Sequence, residues 1–217
     1  LKERNMLKQT PREALMRLAE EGYTHVLIQS TNIIEGVEME SLRKDAAAVA
    51  DKFKEVRIGN PLLYSVEDCE RVVEIMAKNC PVQGALVLVG HGTYTPSTAT
   101  YAMIDYMAKA KGYKNIMVGT IEGYPSFDEM LAQLKASGKK EVTLLPFMLV
   151  AGDHANNDIA VDWKEALEKE GFKVNVRMEG LGQNPEIQNL FIDHLRFSSL
   201  HKVKDIMTKK KEYAEGY

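Results

Sequence analysis

The sequence has few cysteines and no long apolar run. Its 217 residues include two cysteines, Cys69 and Cys80, and these form neither a CxxC pair nor a zinc-binding pattern. Such sparse cysteine usage is typical of proteins in reducing compartments, so we expect a cytoplasmic protein. No apolar stretch approaches the roughly 18 residues that a membrane-spanning helix needs, so no membrane partner is expected.

The sequence also lacks the usual signals for nucleotide and nucleic-acid binding. Lys and Arg total 28 against 31 Asp and Glu, and the net charge of -3 argues against a nucleic-acid partner. It contains no GxSxG elbow, no GxxxxGK[ST] phosphate loop and no GxGxxG fingerprint. We therefore expect no organic cofactor, and the sequence leaves open whether the chain forms a homo-oligomer.

What the sequence does contain is an alternation of short apolar runs and amphipathic stretches. The apolar runs predict strands at residues 24–30, 55–59, 85–90, 115–121, 141–148 and 173–178. The amphipathic stretches predict helices at residues 11–21, 39–54, 66–78, 97–111, 126–137, 158–170 and 184–197. Alternation of strands and helices at this spacing predicts an α/β fold with parallel sheets and helices on both faces.

The chain repeats itself with an offset of 116 positions. Leu15 and Gly22 correspond to Leu131 and Gly138, and further apolar matches follow along the next strand. The repeat predicts two similar Rossmann-like halves that face a central cleft, a common place for a ligand. We place the halves at residues 1–80 and 81–200, with a C-terminal tail at 201–217.

The repeat also suggests that the first half is truncated at its N-terminus. The counterpart of the strand at 85–90 would fall before residue 1. We therefore expect the natural chain to extend upstream, with the leading strand and helix of the first half in that extension.

Three polar residues follow three of the predicted strands. His91 follows the strand at 85–90, Glu122 follows the strand at 115–121, and His154 follows the strand at 141–148. Ligands of parallel α/β sheets bind outside the carboxyl ends of the strands, so these residues should share one edge. Two imidazoles and a carboxylate suit a borderline divalent metal, and they can also accept protons near neutral pH.

Each of these residues also has a structural interpretation. A single histidine after a strand is more often a capping or core residue, and Glu122 could be a solvated loop carboxylate. The repeat aligns Glu38 with His154, so Glu38 either faces the cleft or is an exposed carboxylate in the first turn of a helix. The glycines beside His91 are expected to leave a ligand room near the backbone. Tyr94, Tyr101 and Tyr106 are interpreted as packing residues.

Several motifs resemble a known family. They are "GHGT" at 90–93, "VGTIEGYPS" at 118–126 and "LLPFMLVAGDHANND" at 144–158, together with "QSTNIIEGVE" at 29–38 and "GLGQNP" at 180–185. With these motifs the chain resembles the class II tetrapyrrole chelatases, and most closely the anaerobic cobalt chelatases, over about residues 10 to 197.

The resemblance implies a fold, an activity and a set of site residues. It implies two α/β halves around a cleft and the ATP-independent insertion of Co²⁺, as substrate metal, into sirohydrochlorin in anaerobic cobalamin biosynthesis. It implies that His91, Glu122 and His154 hold the metal and act in catalysis. We also expect Gly92, Thr93 and Glu38 to contact the substrate.

Two alternatives remain open at this point. One is a ferrochelatase or nickel chelatase acting on a related tetrapyrrole, because intrinsic metal affinities follow the same order at most N/O sites. The other is a non-catalytic protein that binds a metal or a tetrapyrrole.

Overall fold

The computed structural model describes residues 8–79, 82–152, 155–201, 210–211 and 213–215. The strands are β1 His25–Gln29, β2 Glu55–Gly59, β3 Ala85–Gly92, β4 Ile116–Glu122, β5 Glu141–Pro146 and β6 Lys173–Val176. The helices are α1 Pro11–Glu20, α2 Val37–Ala47, α3 Val66–Asn79, α4 Ala99–Ala110, α5 Phe127–Ala136, α6 Lys164–Lys169 and α7 Pro185–Leu200. A π-helical stretch, Ala155–Trp163, leads into α6. No helix among the described residues is long and apolar enough to cross a membrane.

All six predicted strands are present, and two helices differ from their prediction. The helix predicted at 39–54 stops at Ala47 and is followed by a separate 3-10 turn, Ala50–Lys52. Between the two, Val49 leaves helical geometry with φ -129° and ψ 9°, and its side chain is 1% exposed. The helix therefore breaks at a buried residue that the apolar periodicity had placed inside it. The helix predicted at 158–170 begins as the π-helical stretch and becomes regular only from Lys164.

The strands form two sheets, and every strand pair in them is parallel. The larger sheet has the order β4-β3-β5-β6, and the smaller sheet pairs β1 with β2. This confirms the predicted α/β fold with parallel sheets. In the larger sheet Gly92 lies opposite Glu122, and Val89 lies opposite Pro146. The carboxyl ends of β3, β4 and β5 therefore lie along one edge.

The central strand β3 is buried on both faces, which explains its continuous apolar sequence. Leu86 and Leu88 pack in one cluster with α3 and α4, through side chains such as Ile104. Val87 and Val89 pack in a second cluster on the other face, with Met130 and other residues of α5. Because side chains pack against both faces of β3, the strand is a rigid support for the residues at its carboxyl end.

The described residues fall into two compact units. The first comes from Leu1–Ser30, Ser41–Asn60 and Ile192–Tyr217 and holds the β1–β2 sheet; the second comes from Thr31–Glu40 and Pro61–Phe191 and holds the larger sheet. Helix α3 belongs to the second unit, because Val72, Val73 and Met76 bury their side chains in the cluster that covers β3. The predicted boundary at residue 80 reflects the sequence repeat and does not coincide with these units, and the tail at 201–217 lies mostly outside the described residues.

The repeat extends to the backbone of the two similar segments. Helix α1 and strand β1 recur 116 positions later as α5 and β5. Both helices begin with a capping box, Thr10–Glu13 in α1 and Ser126–Glu129 in α5. Each helix is followed by a glycine in the left-handed region, Gly22 with φ 88° and Gly138 with φ 70°. Each following strand then pairs in parallel with the next strand of its sheet.

Candidate metal centre

His91 is the penultimate residue of β3 and stands half-buried at the carboxyl edge of the sheet. Its Nδ1 lies 3.3 Å from the carbonyl oxygen of Gly92. In the tautomer with the proton on Nδ1, the ring donates this hydrogen bond to the carbonyl oxygen. His91 therefore lies at the carboxyl edge where the sequence placed it, and its role as a metal ligand stays a prediction.

Protein atoms occupy the space that the two flanking glycines leave. Gly92 has φ +88°, and a Cβ added there would lie 1.9 Å from the carbonyl oxygen of Glu122. A Cβ on Gly90 would lie 2.3 Å from Cε1 of Tyr101. The glycines thus allow β4 and the Tyr101 ring to approach the strand end, which is a packing role that the sequence alone did not indicate.

A cavity of about 270 Å³ opens beside His91. Its walls are the segment 31–34 with Glu38, the strand end His91–Gly92 with Tyr101, and the segment 147–150 that follows β5. All of these residues belong to the second compact unit. Apolar side chains such as Ile34 and Phe147 provide much of the surface, and the imidazole and a carboxylate add polar groups, as is common in ligand sites.

The sequence left open whether Glu38 faces the cleft or is an exposed carboxylate in the first turn of a helix, and both descriptions apply in part. It lies in the first turn of α2 and is exposed, and it also lines the cavity that contains His91. The structure therefore brings Glu38, His91 and Gly92 together, and whether they contact a substrate stays a prediction.

Glu122 and Thr93 are placed differently. Glu122 ends β4 beside Gly92 and is exposed, and the described lining of the cavity does not include it. Thr93 is 7% exposed, and its hydroxyl oxygen accepts a hydrogen bond from the Thr95 backbone N–H at 3.3 Å. The Thr93 side chain thus shapes the loop after β3, and its predicted contact with substrate stays a prediction.

His154 lies outside the described residues. Within the part of the chain that the structure describes, no three His, Cys, Asp or Glu side chains lie close enough together to hold a metal ion. The convergence of His91, Glu122 and His154 therefore stays a prediction. The segment that leads towards His154 does line the cavity, through residues 147–150.

Tyr101 was interpreted from the sequence as a packing residue, but it also reaches the cavity. It is 2% exposed, and its ring meets the Phe147 ring edge-on at a centroid distance of 6.4 Å. Burial raises the pKa of Tyr101 to about 12, a backbone hydrogen bond from Gly92 opposes that rise, and the charge of Glu38 adds to it. The phenol is therefore neutral near pH 7. Its spacing along α4 resembles that of core residues, so the sequence carried no signal for this second role.

Two other features of the described residues do not suggest a competing site. Cys69 is fully buried, and burial together with the charge of Asp68 raises its pKa to about 12, so its thiol is a poor nucleophile. A larger cavity of about 420 Å³ is lined by Met76, Asn79 and residues 179–186. There the Asn79 amide donates to Glu186 Oε1 at 2.7 Å, so these polar groups satisfy each other.

The sequence matches a known enzyme family and its members over most of its length. It matches the family described as Cobalt chelatase (CbiK) over residues 1–199. It is 36% identical over 193 residues to the sirohydrochlorin cobaltochelatase of Salmonella typhimurium, covering 86% of this chain and 73% of that protein. It is 31% identical over 193 residues to the sirohydrochlorin cobaltochelatase CbiKC of Nitratidesulfovibrio vulgaris, covering 84% of this chain and 68% of that protein.

Solved structures share the fold at lower identity. SirB from Bacillus subtilis with Fe³⁺ superposes with a TM-score of 0.64 at 18% identity and covers 88% of this chain and 78% of its own. The sirohydrochlorin chelatase SirB from Bacillus subtilis subspecies spizizenii, in complex with cobalt, gives a TM-score of 0.61 at 15% identity, covering 90% and 78%. These similarities identify a chelatase-like α/β fold.

Proposed function

The chain belongs to the cobalt chelatase (CbiK) family, and we propose that it catalyses the insertion of Co²⁺ into sirohydrochlorin, the reaction for which two of its relatives are named. Cobalt is a substrate of this reaction and not a resident cofactor. The proposal includes its place in anaerobic cobalamin biosynthesis and its independence of ATP. Membership of this family supports the proposed activity. The position of His91 in the wall of the cavity supports the proposed mechanism.

The reaction joins one metal ion to one macrocycle and releases two protons. The ion loses water ligands, two pyrrole N–H bonds break, and all four macrocycle nitrogens form bonds to the cobalt ion. We assign His91, Glu122 and His154 as the groups that hold the ion and accept the protons. An imidazole or a carboxylate can do both, because a metal ion and a proton compete for the same lone pair. A site with few protein ligands also keeps positions open for the macrocycle nitrogens.

The cavity supports binding of one edge of the macrocycle. Its volume of about 270 Å³ falls just below the roughly 300–1,000 Å³ of pockets that enclose a drug-sized ligand. The apolar side chains of Ile34, Phe147 and Leu149 would pack on the flat face of the ring system. The Glu38 carboxylate on the same wall would accept a hydrogen bond from a pyrrole N–H.

An assay with purified protein tests the activity. Sirohydrochlorin, Co²⁺ and the chain are mixed without ATP, and ultraviolet-visible spectra follow the change from free to metallated macrocycle. Many metallated macrocycles per chain are expected. A change that stops at one macrocycle per chain would identify a binding protein, and faster turnover with Fe²⁺ or Ni²⁺ would change the assigned metal. Because the proposed reaction is independent of ATP, adding ATP should leave the rate unchanged. We also propose that the chain acts in the cytoplasm and without an organic cofactor.

Histidine substitutions test the mechanism. His91→Ala and His154→Ala should each lower the rate of cobalt insertion by about 100-fold or more, because each removes a metal ligand and proton acceptor. Thermal melting should show that the variants stay folded. His25→Ala is the matched control, because His25 is an exposed histidine on β1 in the other compact unit. Near wild-type rates in both site variants would overturn the assignment.

A further inference from the structure

We propose that Ile33 and Leu149 are equivalent contact residues for the macrocycle, one on each of two walls of the His91 cavity, and that tight binding needs both. The inference rests on the proposed function in taking sirohydrochlorin as the occupant of this cavity. Three features of the chain support it: the sequence repeat, the backbone hydrogen bonds that hold the two walls, and the burial of the two side chains.

The two walls are related by the sequence repeat. The segments 31–34 and 147–150 both line the cavity, and they lie 116 positions apart in the sequence. Both segments belong to the second compact unit. With this offset Ile33 corresponds to Leu149, so each wall carries one large apolar residue at the same position of the repeat.

The same pattern of backbone hydrogen bonds holds both walls. In each wall the carbonyl oxygens of two successive residues accept from the N–H groups of two successive residues of a later segment. The bonds, with the N–H donor named first, are Leu62 to Asn32 at 3.0 Å, Leu63 to Ile33 at 2.8 Å, Leu181 to Met148 at 2.8 Å and Gly182 to Leu149 at 2.9 Å. The backbones of Ile33 and Leu149 are therefore fixed in the same way.

Close packing supports these hydrogen bonds. A Cβ added to Gly180 would lie 2.4 Å from the carbonyl oxygen of Leu149, and a Cβ added to Gly182 would lie 3.2 Å from Leu149 Cδ1. The two glycines of the "GLGQNP" motif therefore let the supporting segment lie against the second wall. On the first wall the supporting residues Leu62 and Leu63 are anchored in the core, at 0% and 4% exposure. Walls that are held before the ligand arrives cost little ordering entropy on binding.

The side chains of Ile33 and Leu149 also have the same surroundings. Each is half-buried, packs on the core cluster that covers one face of β3, and lines the cavity. A half-buried apolar side chain in a cavity wall keeps apolar surface that a bound ligand can remove from water. The next pair along the repeat does not match, because Ile34 is 7% exposed and Val150 is 68% exposed. Of these two pairs, only Ile33 and Leu149 are equivalent in burial.

The test measures the affinity of the full chain for metal-free sirohydrochlorin from the visible absorbance of the macrocycle, without cobalt. Ile33→Ala and Leu149→Ala should each raise the Kd by about 10-fold, because each removes three side-chain carbons that the macrocycle covers in part. Together they should raise it by about 100-fold, because the effects of independent contacts add as free energies. Ile192→Ala and Leu27→Ala are the matched controls and should leave the Kd unchanged, because these residues are 42% and 37% exposed and lie in the other compact unit.

Turnover kinetics separate a ligand contact from a loss of structure. In both alanine variants KM for sirohydrochlorin should rise with the Kd, whereas kcat for cobalt insertion should stay within about twofold of the wild type, because no metal ligand is removed. If thermal melting shows that an alanine variant does not fold, Ile33→Val or Leu149→Val takes its place. Each of these loses one methylene and should raise the Kd by about twofold.

The binding readout also separates this inference from the proposed function. If the wild type bound sirohydrochlorin without inserting cobalt, and both site variants weakened that binding, the proposed function would fail and the two contacts would stand. A rise in Kd in one site variant alone, or the same Kd in the site variants and the controls, would overturn the inference. Absence of sirohydrochlorin binding by the wild type would overturn it as well.

Discussion

At the residue scale, the left-handed backbone of Gly92 decides what can follow the site histidine. Its φ is +88°, and an added Cβ would lie 1.9 Å from the Glu122 carbonyl oxygen. Gly112 has nearly the same φ, +91°, but nothing lies within 4 Å of an added Cβ. A substitution at Gly112 therefore tests backbone strain alone, whereas a substitution at Gly92 tests backbone strain together with a steric clash.

We expect Gly112→Ala to lower the free energy of unfolding by about 1–2 kcal/mol, the usual cost of a left-handed alanine. Gly92→Ala should cost clearly more, because β4 must also move, and it should abolish cobalt insertion. Denaturant unfolding of both variants measures the difference. Equal losses of stability in the two variants would show that the close approach of Glu122 to Gly92 carries no extra cost.

At the scale of elements, the two capping boxes are a matched pair. In α1 the Thr10 hydroxyl accepts from the Glu13 backbone N–H at 3.2 Å, and in α5 the Ser126 hydroxyl accepts from the Asp128 backbone N–H at 3.2 Å. Thr10→Ala and Ser126→Ala should each lower the free energy of unfolding by about 1 kcal/mol. Ser126→Asp is the control, because aspartate also caps helices well and should retain most of the stability. Unfolding curves for Ser126→Ala that match those of the wild type would contradict the role of the cap.

The same caps should make the free energy of unfolding depend on pH. Hydrogen bonds from Thr10 and Ser126 hold the pKa values of Glu13 and Glu129 below their ordinary value of 4.5. A carboxyl whose pKa is depressed by folding stabilises the fold above its unfolded pKa and loses that contribution as pH falls through its folded pKa. The difference in stability between the wild type and Ser126→Ala should therefore shrink below about pH 4.5. A difference in stability between the wild type and Ser126→Ala that stayed constant down to pH 2 would contradict this role of Glu129.

At the scale of the whole molecule, the two sheets should differ in local stability. β3 is hydrogen-bonded on both sides, and its residues 85–90 are buried. The β1–β2 sheet has two strands, and the fully buried part of its core is Leu15, Ala46, Val49 and Phe53 among the described residues. Two-stranded sheets with small cores open more readily.

Hydrogen exchange followed by mass spectrometry measures this difference. Peptides from β1 and β2 should take up deuterium before peptides from β3, at a pH where intrinsic exchange is the same for all. Helix α1, which packs on the smaller sheet, should exchange with β1 and β2. Equal protection of β1 and β3 would show that the chain opens as one cooperative unit.

The sequence by itself determined the order and type of the elements. Strands such as β2 and the capping boxes of α1 and α5 depend on residues within a few positions of one another, so a local pattern identifies them. The strand-end position of His91 followed from the same reasoning, because parallel strands present their carboxyl ends at one edge. The repeat between α1–β1 and α5–β5 was also visible in the sequence.

Only the tertiary structure decided which distant residues meet. The packing of α3 with the β3 sheet, the lining of the His91 cavity by Glu38, and the exposure of Glu122 depend on strand register and helix placement. The position of the Tyr101 ring, which fills the space beside Gly90, depends on the same placement. These contacts join residues that are ten to more than fifty positions apart, and the free energy that selects them comes from close packing of the whole core. Local periodicity contains no term for that packing, and for this reason the sequence indicated where His91 stands but not what holds it there.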